Sequence, residues 1–237
     1  MNKDKDPMGR AIADYNRTGK ALKLRLFSPM FYEDEFPVPT LFRDYAHMPV
    51  LEQQAIDMAQ GHIHDVGAGA GCHSLELQRR GANVTAIDIS PASVETMRAR
   101  GIAHALQQDF YNVEEQYDTI LMLMNGIGIV GTLDQMGKFF AQLDKILAPG
   151  GKVLFDSSDI CYVFEGEDGI IELPDTPGYY GEIAYTMQYG NVKGEEFKWL
   201  YIDADTMAEC AAQHGYNFAI LKHGEHYDYL GALTKAK

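Results

Sequence analysis

From about residue 49 the chain alternates between two rhythms. Some stretches have apolar residues three and four apart, and others are short runs that are apolar almost throughout. Val50, Leu51, Ala55, Ile56 and Met58 make a stripe that predicts a helix opened by Pro49 and running to residue 59. Apolar runs then predict strands at 62–66, 82–87, a short one ending near 108–109, 117–124 and 152–155. Helices are expected between them at about 72–80, at 92–100 behind Ser90 and Pro91, and at 133–147, where Phe139, Phe140, Leu143, Ile146 and Leu147 share a face. Strands apolar throughout are buried on both faces. The alternation therefore predicts a doubly wound parallel sheet with helices on each side, binding its ligand at the carboxyl ends of the strands.

Two segments fall outside this rhythm. Residues 1–48 read as an N-terminal helical cap, with a helix at about 9–17 and then Phe36-Pro-Val-Pro39, whose prolines forbid a helix. Residues 157–203 read as an insertion in which 182–189 and 196–202, separated by 190–195, predict a β-hairpin. A helix at 205–214 and strands at 216–222 and 227–234 follow, so residues 49–237 are expected to form one domain carrying the insertion.

Composition narrows the partners. A formal charge of −14 opposes binding to nucleic acid, whose affinity comes from phosphate neutralisation by Lys and Arg. Residues 156–209 alone carry −11, either as a solvated face or as a mouth that attracts an amine or cationic substrate, whereas residues 1–30 carry +4. No apolar run approaches the ~18 residues of a membrane span, and the opening stretch lacks the apolar core of an export signal. Cys72, Cys161 and Cys210 make no CxxC pair, which fits reduced thiols in a cytoplasm.

The most informative chemistry is Asp65-Val-Gly-Ala-Gly-Ala-Gly71 followed by Asp88. Glycines at 67, 69 and 71, between a buried strand and a helix, mark where a ligand meets bare backbone. Dinucleotide folds use G-x-G-x-x-G, but Cys72 stands at the third glycine position. Asp88 lies 21 residues after Gly67, at the end of the second strand, where a carboxylate accepts from ribose hydroxyls. The pattern points to a nucleoside cofactor without a pyrophosphate.

Asp65–Gly71, Ala86-Ile-Asp-Ile-Ser90, Gln108-Asp-Phe110 and Leu147-Ala-Pro-Gly-Gly151, in this order, resemble the class I S-adenosylmethionine-dependent methyltransferases over roughly residues 49–235. The resemblance implies a seven-stranded Rossmann-like sheet whose last strand, at 227–234, runs antiparallel between its neighbours. It also implies S-adenosylmethionine as cofactor and S-adenosylhomocysteine as product. Carried over, Asp65 fixes the amino group, and the backbone at Gly67, Ala68 and Gly69 faces the methionine and ribose. Asp88 holds the ribose hydroxyls, Ile89 packs on the adenine, Asp109 accepts from its exocyclic amine beside Phe110, and Met124 and Asn125 lie near the methyl group. Asn125-Gly-Ile-Gly128 departs from the Asn-Pro-Pro-Tyr-like motif of enzymes acting on nucleobase or glutamine nitrogen. That removes one indicator of such a substrate and leaves the acceptor open, with a small-molecule acceptor as the leading reading.

Each residue also has a plain structural role to weigh against this. Asp88 and Asp109 can cap turns, Asn125 can satisfy its own loop, and Gly71 can serve packing. Tyr15, Tyr179 and Tyr180 are substrate-side candidates, the last two because they sit between glycines. His73 and His226 are candidate bases, and His62, His64, His223 and His226 lack the spacing of a metal site. A non-catalytic nucleoside-binding module and, behind it, a nicotinamide-dependent oxidoreductase are the competing readings. Both a monomer and a homodimer are compatible with the chain.

Overall fold

Burial of strands on both faces organises the chain. A computed structural model describes residues 3–30, 33–175 and 178–236, so Met1 and Asn2 of the opening stretch lie outside the described residues. Helix α1 (Pro7–Thr18) is followed by strands β1 (Leu24–Phe27) and β2 (Asp34–Phe36). The alternating part runs α2 (Val50–Met58), β3 (His62–Val66), α3 (Cys72–Arg79), β4 (Asn83–Asp88), α4 (Pro91–Ala99), β5 (Ala105–Gln107), β6 (Tyr117–Met122), α5 (Met136–Ile146) and β7 (Leu147–Ser158). Strands β8 (Glu182–Tyr189), β9 (Val192–Lys193) and β10 (Phe197–Leu200) come next, then α6 (Ala204–Gln213), β11 (Tyr216–His223) and β12 (Asp228–Lys235).

Among the described residues, seven strands form one sheet in the order β11-β12-β7-β6-β3-β4-β5. Strands β3 to β7 pair in parallel, and β12 runs antiparallel between β7 and β11. Side-chain alternation sorts the core into two layers. Ile63, Val84, Leu121 and Leu154 pack with Leu51, Ala55 and Ile56 of α2 and Leu77 of α3. Ile120, Met122, Val153 and Phe155 pack with Phe139, Phe140 and Leu143 of α5 and Met207 of α6. The described helices include none long and apolar enough to cross a membrane.

Three local expectations differ from the structure. The helix expected from residue 133 begins as a 3-10 turn, Leu133–Gln135, with the α-helix starting at Met136. The Pro149-Gly-Gly151 stretch lies inside β7, where pairing with β6 jumps from Tyr117↔Leu147 to Thr119↔Lys152. Proline and two glycines thus make an irregularity in a ladder instead of a separate turn. The N-terminal segment is helical only in part: β1 pairs antiparallel with β2 and with β8, so a second sheet has the order β10-β8-β1-β2. A four-residue strand whose partner lies about 160 positions away leaves almost no local signal.

Asp6 fastens the N-terminal segment to the start of α4. Asp6 is 1% exposed; it caps α1 by accepting from Gly9 N–H (2.8 Å) and also accepts from the Ser90 hydroxyl, which itself caps α4. A Cβ on Gly9 would stand 2.2 Å from Ser90 Oγ, so only glycine lets the two helix starts approach this closely.

Candidate functional site at the carboxyl edge of the sheet

Four strand ends deliver the residues singled out from sequence to one edge. At the end of β3, Gly67 and Gly69 have φ of +68° and +57°. A Cβ built on Gly67 would meet no atom within 4 Å, so the turn presents bare backbone to open space. Gly71 differs: a Cβ there would be 2.1 Å from Ile102 Cδ1, so this glycine serves helix packing.

Asp88 closes β4 and faces the glycine turn. Its Oδ2 accepts from Gly69 N–H (2.9 Å) and its Oδ1 from Ser90 N–H (2.8 Å), so the carboxylate is held rigidly with lone pairs left on both oxygens. Burial pushes its pKa up to about 6, against the two N–H donors that favour the charge. Ile89, next along the chain, is 47% exposed. Asp109 and Phe110 follow β5: Asp109 caps the short turn through Tyr111 N–H (2.9 Å), and Phe110 is 4% exposed.

Asp65 is 1% exposed, accepts from Ser74 Oγ (2.6 Å), and has its pKa raised by burial. At the end of β6, Met124 and Asn125 both occupy the left-handed region (φ +63° and +55°), strain that a non-glycine residue bears only when its surroundings hold it. Asp156, near the end of β7, does the holding: both its oxygens accept from Asn125 N–H at 3.1 Å. Burial raises the Asp156 pKa to about 7, and the Asn125 Oδ1 is buried without a hydrogen-bond partner. Met124 packs against the cluster of Ile12, Leu41 and Ala70, as do Phe36 and Phe42, so the N-terminal segment roofs this end of the crevice.

A second layer of charge lies below the glycine turn, and the sequence reading did not find it. His73 Nε2 and Glu52 Oε2 are 2.7 Å apart, and Arg43 closes on the other oxygen of Glu52. His73, 5% exposed, has its pKa raised well above the usual value. Burial opposes the charge, but Cys72, Glu52 and Asp65 outweigh it, so it is an imidazolium fixed to Glu52 and not a reachable base. Asp156, Glu52 and His73 feel one another's charge. The signal was a Glu and a His on two separate helices, which nothing local in the chain connects.

The remaining candidates lie elsewhere. Tyr179 donates to Asp203 (2.6 Å) and accepts from Asp203 N–H (2.8 Å), and Tyr180 donates to Asp159 (2.7 Å), so both phenols are engaged within the insertion. Tyr15 packs on Phe42 with ring centroids 4.6 Å apart. His226 is exposed. His62 and His64 flank Tyr117, His64 stacking on it at 4.1 Å, and burial lowers the His64 pKa to about 4. Among the described residues, no three His, Cys, Asp or Glu side chains converge as metal ligands would.

Residues 63–151 match a family model described as a methyltransferase domain. A solved structure of a SAM-dependent methyltransferase from Bacteroides fragilis, in complex with S-adenosyl-L-homocysteine, is 50% identical. The alignment covers 100% of this chain and 98% of that one, with a TM-score of 0.94. The CcbJ methyltransferase from Streptomyces caelestis shares the fold at 14% identity (98% of each chain, TM-score 0.62). The ubiquinone biosynthesis O-methyltransferase of Xanthomonas oryzae pv. oryzae is 29% identical over 108 residues, 43% of this chain. The match spans 45% of that protein, less than half the length of the curated relative.

Proposed function

Because this chain belongs to the class I S-adenosylmethionine-dependent methyltransferases, we propose that it binds S-adenosylmethionine at the carboxyl edge of its sheet and methylates a small-molecule acceptor. The observation that carries this reading is the Gly67 turn, open to a ligand and faced by the tethered carboxylate of Asp88. When bound, the cofactor supplies an activated methyl group on a sulfonium.

The chain's own residues fit such a guest. Asp88 keeps lone pairs for two ribose hydroxyls, and exposed Ile89 offers an apolar face to an adenine, with Asp109 and Phe110 on its far edge. The turn at Gly67, Ala68 and Gly69 admits the cofactor's backbone-hugging part, with Asp65 toward an ammonium. Met124 and the unpartnered Asn125 Oδ1 border the reacting end. These side chains position, desolvate and exclude water, the contributions a preactivated donor requires. The charge of residues 156–209 favours an amine or cationic acceptor. A hydroxyl acceptor is the second reading, favoured by the O-methyltransferase relative. The free thiols of Cys72, Cys161 and Cys210 support a cytoplasmic setting.

Calorimetric titration with S-adenosylhomocysteine tests the cofactor reading, with NADH as the control that should give no heat. Asp88→Ala is expected to weaken S-adenosylhomocysteine by roughly 10- to 100-fold, the equivalent of ~1.5–3 kcal/mol for hydrogen bonds to a charged group. An unchanged dissociation constant would remove Asp88 from the ribose site.

The pH dependence follows from the same carboxylate. Hydroxyl donors favour ionised Asp88, whose pKa is about 6, so affinity should fall on acidification, roughly tenfold by about pH 5. Asp88 and Asp156 both have folded-state pKa values above the ordinary 3.8. Their contribution to stability is fully present below about pH 4 and is lost as pH rises through about 6 and about 7. The ligand-free protein should therefore melt higher near pH 5 than Asp156→Asn predicts from its own profile, with the two curves converging in slope above about pH 8. A flat affinity profile would contradict the assignment of Asp88.

A further inference from the structure

Between the N-terminal strands and the insertion lies a cavity of about 240 Å³ whose walls include Leu26, Ser28, Asp34, Phe36, Tyr185 and Tyr201. We propose that this cavity is the acceptor pocket and that it takes a small molecule pairing an amine with an apolar or aromatic body. The inference rests on the methyltransferase reading and deepens it.

Position is the first argument. Strand β10 lies against the Gly126–Val130 turn that directly follows Asn125, so closely that a Cβ on Gly128 would be 2.0 Å from Trp199 Nε1. Phe36 is shared: it lines the cavity and belongs to the apolar cluster with Met124 beside the glycine turn. Phe36 thus stands between the cavity and the cluster against which Met124 packs.

Charge is the second. The β1–β2 pair carries three consecutive acids, two of them neutralised: Glu33 by Arg25, and Glu35 by Lys23 at 2.9 Å. Asp34 has no cationic partner among the described residues. Among the described residues its carboxylate accepts from the neighbouring Glu35 N–H (2.7 Å), which leaves most of its lone pairs free at the cavity wall. A carboxylate held in this way invites a cation.

The third argument is the opposite wall. Tyr185 and Tyr201 meet through their hydroxyls at 3.2 Å, and burial raises both phenols, with Asp34 adding to the effect on each. They stay neutral and offer ring faces that attract an ammonium, while Leu26, Phe36 and Pro37 supply an apolar floor. An anionic acceptor would face Asp34, which has no cationic partner among the described residues. For methylation the ammonium would first give up one proton to water, and the freed lone pair would form the N–C bond as the donor's S–C bond breaks with its electron pair left on sulfur. The product amine again carries a single positive charge for Asp34 to hold.

The test uses three isosteric probes, benzylamine, benzyl alcohol and benzoate, titrated calorimetrically into the protein alone and saturated with S-adenosylhomocysteine. Benzylamine should bind, benzyl alcohol at least about tenfold more weakly, and benzoate not measurably. Asp34→Asn should weaken benzylamine roughly 10- to 100-fold, and Leu26→Trp, which fills the cavity, should abolish its binding, both leaving S-adenosylhomocysteine affinity unchanged. The proposal is overturned if the alcohol or the acid binds as well as the amine, if none of the three binds, if both variants retain wild-type benzylamine affinity, or if Asp34→Asn loses the nucleoside together with the amine. Failure of S-adenosylhomocysteine to bind wild-type protein, with amine selectivity intact, would sink the cofactor reading and leave the pocket standing.

Discussion

Gly67→Val is expected to leave the protein folded and eliminate measurable S-adenosylhomocysteine binding, a loss of at least about a hundredfold. Two effects combine. At φ +68° a β-branched residue carries backbone strain of roughly 1–2 kcal/mol, which lowers the melting temperature. The new side chain also projects into the space where no protein atom lies within 4 Å, the space the nucleoside needs. The two effects separate with a control. Gly81, at the end of α3, has φ +84° and equally open surroundings but sits at the far end of that helix from the glycine turn. Gly81→Val should lose similar stability and keep full affinity. If both variants bind alike, the crevice is not where the ligand sits.

Glu52→Ala should have the largest effect on stability, about 3–5 kcal/mol, because it strands a buried imidazolium and leaves Arg43 without its partner. The midpoint of thermal unfolding should fall by on the order of 10 °C for a chain of this size. The network lies directly beneath the glycine turn, since His73 is in the first turn of α3 and is coupled to Asp65. Ligand affinity should suffer as well, even though Glu52 faces no ligand. Urea unfolding monitored by circular dichroism measures the first effect and calorimetry the second. A change below about 1 kcal/mol would mean that the pair is solvated in solution.

What could be read from the chain divides along a physical line. The glycine turn, Asp88 at a strand end and the alternation of five buried strands with helices were legible because they rest on backbone rules that act over a few residues: where side chains must be absent, where a strand must end, which runs are buried on both faces; the count of seven strands came through the family resemblance. The last strand's direction came through the family resemblance, not through any local pattern. Contacts between distant segments were not legible. Nothing near Leu24–Phe27 announces that it will pair with β8, nor does Asp156, which entered only as the start of an acidic stretch, announce that it will anchor Asn125. Glycine neighbours made Tyr179 and Tyr180 look free, yet each phenol has an aspartate partner placed by a later or earlier segment.

The link between Asp6 and Ser90 carries a consequence for any attempt to re-engineer the enzyme. One carboxylate caps the first helix and grips the residue that caps α4, two positions past Asp88. The N-terminal segment is thus bolted to the loop that follows Asp88. Grafting a new N-terminus to change substrate preference would disturb donor affinity unless an acid and a glycine, three residues apart, travel with the transplant.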